Sequence, residues 1–158
     1  MTEVFKTSRI SYGGTAAVVT SMALIGGLSA ASATKPVIMS ALLIAALADN
    51  LTDALSIHVF QESEHLDEKD AFRGTIANFF ARLLLCVSFV PLVGCLPSVH
   101  VAKAATAWGM LLLAALTYLV ARERQVSPWP EVAKHLLVAF AVIVVSGAIG
   151  HLIGAVLG

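Results

Sequence analysis

Charge is scarce in this 158-residue chain: only 13% of its residues are Asp, Glu, Lys or Arg, and ten acids balance ten bases. That balance removes the basic surface on which nucleic-acid binding depends, so no nucleic-acid partner is expected. Cysteine is nearly absent. Cys86 and Cys95 stand nine residues apart in one apolar run, and nine helical steps turn them to opposite faces, so they do not make a metal pair there. They read as packing thiols. The glycines lie inside apolar runs and lack the strand, Lys and Ser/Thr of a phosphate-cradling loop. No intramembrane Ser/His pair stands in a recognisable catalytic setting, so the chain is not expected to be an enzyme or to hold a permanent cofactor.

What the chain does have is hydrocarbon. It is 58% hydrophobic with a mean hydropathy of +0.88, too apolar for a soluble core of this size. A helix needs about 20 apolar residues to cross a bilayer. Five stretches qualify: 10–31, 37–60, 75–96, 101–120 and 132–157. Unpaired backbone is costly in lipid, so these should be helices. The expectation is an all-α, multi-pass membrane protein: one domain over 1–158, with helices near 10–31, 37–69 (including a cytosolic extension), 75–96, 101–121 and 131–157. A rival reading makes the first stretch a signal peptide cleaved after "ASA" at 31–33, but the apolar run exceeds the usual length of about 7 to 15 residues.

Lys and Arg set the orientation. One side of a five-span chain holds Lys6, Arg9, Lys69, Arg73, Arg122, Arg124 and Lys134, the other only Lys35 and Lys103. The amino terminus is therefore expected in the cytoplasm. Tyr12, Tyr118 and Trp129 then fall at the cytoplasmic boundary, whereas Trp108 fits no aromatic belt. Short loops and no organelle signal suggest a bacterial inner membrane.

The polar residues of the second span carry the functional reading. On a continuous helix Asp49, Asp53, Ser56, Phe60, Glu64 and Asp67 share a sector of about 80°. A carboxylate in the bilayer costs about 2.5 to 3.5 kcal/mol, so its retention there points to an ion or proton pathway. Carboxylates are hard oxygen ligands for divalent cations. Asp49 and Asp53 are the candidate metal and proton-coupling groups, with Asn50, Ser56 and Arg82 along the path. A structural reading stays open beside it: Arg82 on the third span lies at the depth of Asp53 and can pair with it, and Asn50 and Asn78 can hydrogen-bond across helices. On the opposite face His58, Glu62 and His65 have i, i+4, i+7 spacing, a candidate metal set together with Glu64, against the default of a solvated acidic extension. In the last span Gly147, Gly150, Gly154 and Gly158 favour close helix packing, with His151 beside them.

Together these features resemble the vacuolar iron transporter family of five-helix divalent-metal transporters. The likeness rests on "ALIGGLSAAS" in the first span, "DALSIHVFQESE" closing the second, "FFARLLLCVSFVPLVGCLP" in the third and "SGAIGHLIG" in the fifth. By resemblance, the chain is expected to form homodimers that export ferrous iron or manganese from the cytosol in exchange for protons, along a path lined by the first two helices. It departs from the family in reading Gly13-Gly14 where an Asp-Gly pair is usual, Ser56-Ile57 for Ser-Met, Gln61 for a Glu and His151 for a Tyr; Ser56 carries over. It also lacks the family's larger cytosolic metal-binding insert. Asp49 and Asp53 would then be a relocated site.

Overall fold

The computed structural model describes residues 7–63 and 68–157. Among them the chain is all helix: α1 (Thr7–Ala30), α2 (Lys35–Ser63), α3 (Glu68–Val87), α4 (Val90–Cys95), α5 (Ser98–Glu123) and α6 (Pro128–Leu157). Five segments are long and apolar enough to cross a membrane: Gly13–Ala30, Lys35–Ser56, Gly74–Cys95, Ser98–Glu123 and Pro128–Leu157.

Two boundaries differ from the sequence expectation. Glu68 and Lys69 belong to α3, so the second helix does not run on to 69; its described part ends at Ser63. The third span is also broken. Pro91 has no N–H to give the Val87 carbonyl, and its ring crowds that carbonyl, so α3 stops at Val87 and α4 restarts at Val90. Ser88 bridges the break: its hydroxyl donates to the Leu85 carbonyl at 2.6 Å and accepts from Trp108 Nε1 at 3.0 Å. This gives Trp108, which fits no aromatic belt, a place inside the bundle's hydrogen bonding.

α1 is the hub, packing against α2, α3, α5 and α6. Its small residues allow this, because side chains without bulk let backbones approach. Met22 of α1 lies over Gly109 of α5, in the space a Cβ would fill. Farther along, a Cβ at Gly150 of α6 would fall on the Gly27 carbonyl oxygen, and one at Gly154 would sit 3.3 Å from Ala31 Cα. A Cβ at Gly147 meets nothing within 4 Å. Close packing is thus the work of Gly150 and Gly154, and the expectation for Gly147 is corrected: it points away from the seam.

The α1–α2 turn closes with Ser32 at φ 60° and a bond from the Ala33 N–H to the Leu28 carbonyl, a left-handed helix cap normally occupied by glycine. Gln125 repeats it after α5, at φ 56°, with Val126 N–H on the Ala121 carbonyl.

The apolar core fills the middle of the bundle and the end where α1 meets α2. It is built from Val18, Met22, Ile25, Leu42, Phe89 and Val101 among others. Toward the other end the interior changes character. The buried face of α3 reads Thr75, Asn78, Arg82 and Cys86, a polar column about 16 Å long at 1.5 Å per residue.

Candidate functional site

α1 and α2 each pack on α3 more extensively than on one another, which leaves a narrow cleft between them with α3 as its floor. Ala17, Thr20, Ser21 and Leu24 of α1, Leu42, Ala45, Ala46, Asp49 and Asn50 of α2, and Arg82 and Cys86 of α3 line a cavity of about 10 Å³, room for about one water.

Arg82 organises this cavity. Its side chain is 4% exposed, a burial that a guanidinium tolerates only when paired and hydrogen-bonded. Nε donates to Asn50 Oδ1 at 2.9 Å, and Nη1 forms an ion pair with Asp53 Oδ2. The pairing of Asp53 with Arg82 that the matched depths allowed is therefore present. Gly13 makes room for it: a Cβ there would lie 2.8 Å from Arg82 Cδ and 2.7 Å from Asn78 Oδ1. Sequence reasoning did not assign this role to Gly13; its signal was a small residue on α1 at the level of a buried arginine on another helix.

α2 is rotated differently from the picture of an inward acidic stripe. Its buried polar group is Asn50, 1% exposed. Asp53 is half-exposed, and Asp49 and Ser56 are exposed. Asp49 stands at the mouth of the cleft and forms no ion pair among the described residues. Ser56 donates its hydroxyl to the Thr52 carbonyl at 2.9 Å, and Thr52 does the same to Ala48, so both hydroxyls are occupied on their own helix.

The side chains of His58 and Glu62, and the whole of Glu64 and His65, lie outside the described residues. So do Asp67, the Phe60 side chain and Gly158. Among the described residues no three His, Cys, Asp or Glu side chains converge as a metal cage. His151 is exposed on α6 and not part of the cavity wall. Cys86 is buried on that wall, whereas Cys95 is exposed on α4.

The site thus brings together one paired and one unpaired carboxylate, a buried cation and two buried amides. The pair's charges cancel, and Asp49 adds a second carboxyl group at the mouth. Such a site can hold a proton or share a cation. Comparison with protein-family models, with curated proteins and with solved structures returns no match for this chain.

Proposed function

We propose that the chain is a multi-pass membrane protein, amino terminus in the cytoplasm, that carries a divalent cation, ferrous iron or manganese, out of the cytosol in exchange for protons. Its apolar exterior supports the membrane setting: Ile44, Leu84, Leu137 and Leu157 are 66%, 73%, 73% and 78% exposed, and surfaces of that kind belong against lipid. The resemblance to the vacuolar iron transporter family and the excess of Lys and Arg on one side support the cargo and the orientation. A bacterial inner membrane is the proposed location.

The observation that carries the reading is Asp49: a carboxylate without an ion-pair partner among the described residues, inside an apolar span, at the mouth of a polar cleft. Leaving it charged and unpaired in lipid is costly, so a proton or a metal ion is the group that relieves it. Asp53 is already neutralised by Arg82 and serves to hold Arg82 in place. One free carboxylate balances half of a divalent charge. A two-fold homodimer, the proposed assembly, repeats Asp49 and supplies the second.

The test is metal uptake by purified protein in proteoliposomes under a pH gradient. Asp49→Asn removes proton-linked flux of manganese and ferrous iron while the protein remains folded. Unchanged flux in that variant rejects the assignment.

The Asp53–Arg82 pair favours one other reading, a non-transporting scaffold that keeps the architecture and uses its polar groups to lock helices together. It predicts no metal flux in the parent protein and a stability that depends on the pair alone.

A further inference from the structure

The amides beside Arg82 are unbalanced. Asn50 spends Oδ1 on Arg82, but its Nδ2 has no partner among the described residues. Asn78 is 2% exposed, and among the described residues neither Nδ2 nor Oδ1 has one. Buried amide groups left unpaired are strongly disfavoured, and bound water is the ordinary remedy where the surroundings are polar and roomy enough. For Asn50 the space is present. The cavity beside Asn50 and Asp49 has room for about one water. Next along the α3 column, Asn78 Oδ1 and Arg82 Nη1 lie 2.7 and 3.1 Å from the point where a Gly13 Cβ would sit. They are therefore no more than about 6 Å apart, within the reach of one water bonded to both at about 2.8 Å.

We infer that Asn78, Arg82 and Asn50 hold a file of bound water inside the bundle, ending at the cavity beside Asp49. The file begins one turn of α3 beyond Arg82 and runs along the side of α2 opposite its exposed face. Asn78 is its buried end, Arg82 and Asn50 its middle, and Asp49, at the mouth of the cleft, its exposed end. Gly13 leaves the space that the Asn78 and Arg82 side chains occupy, so a side chain there would displace them. The file extends hydrogen-bonded contact from Asp49 into the bundle as far as Asn78.

The sequence supplies the probe: Asn50 and Asn78 are its only asparagines. Full-length protein labelled with ¹⁵N-asparagine therefore gives two side-chain amide pairs. In micelles, both pairs should show magnetisation transfer from long-lived bound water and should exchange with deuterium at least tenfold faster than the backbone amides of the apolar core. Asn78→Leu, or Asn78→Ser if the leucine variant does not fold, removes one pair and assigns the other. Absence of water transfer, with slow exchange at either pair, overturns the file because it breaks its continuity. A higher melting temperature in Asn78→Leu also overturns it, since deleting a dry unpaired amide stabilises a protein and deleting a hydrated one does not. These readouts use no flux, so they stand or fall independently of the carrier reading.

Discussion

The two members of the Asp53–Arg82 pair differ in burial, and this makes the cost of losing each one unequal. In Asp53→Leu the guanidinium, 4% exposed, keeps its charge and its bond to Asn50 but loses its paired counter-ion, with only the more distant Asp49 carboxylate left beside it. Stranding a buried charge costs about 3 to 5 kcal/mol. In Arg82→Met the carboxylate left behind is 45% exposed, so it can rehydrate or take a proton. The remaining loss is the donor to Asn50 Oδ1, for a total of about 1 to 3 kcal/mol. The double variant removes both charges and fills the space with apolar groups, so it should fall near the parent, less destabilised than Asp53→Leu alone. Equilibrium unfolding in mixed micelles with increasing denaturing detergent measures all four corners of the cycle. Equal penalties for the two single variants, or a double variant that equals their sum, would refute the claim that Arg82 is buried against Asp53.

At the α1–α6 crossing, Gly150→Ala places a methyl group on the Gly27 backbone and should cost about 1 to 3 kcal/mol, whereas Gly147→Ala meets nothing and should gain up to about 1 kcal/mol from helix propensity; thermal unfolding of the two distinguishes them. Trp108→Phe deletes the donor to Ser88 and should lower stability by about 0.5 to 1.5 kcal/mol, with a red shift of the tryptophan emission, which then comes from the more exposed Trp129 alone, as an independent check. Gln125 occupies a left-handed conformation, so Gln125→Gly should raise the unfolding midpoint by an amount equivalent to about 1 kcal/mol.

Helix positions were readable because long apolar runs admit little else. The break at Ser88 was readable in principle from Pro91, although an uninterrupted apolar run from 75 to 96 concealed it. The extension of the second helix failed at 68–69 because a charged linker carries a helical pattern whether it ends one helix or begins the next. Gly150 and Gly154 were found by spacing alone, yet Gly147 belongs to the same pattern and faces elsewhere. Spacing gives a shared stripe but not which part of it meets a neighbour. The role of Gly13 beside Arg82 was not legible, since a glycine's neighbours across a bundle leave no mark in its own segment.

Composition and run length by themselves determined an all-helical chain with five segments fit to cross a membrane, and they flagged Asp49, Asn50, Asp53 and Arg82 as the polar residues needing an account. Tertiary structure alone decided where each sits. α2 is apolar on nearly every side, so its own periodicity names no inward direction. The packing of α1 and α3 sets that rotation, burying Asn50, joining Asp53 to Arg82 and leaving Asp49 outside.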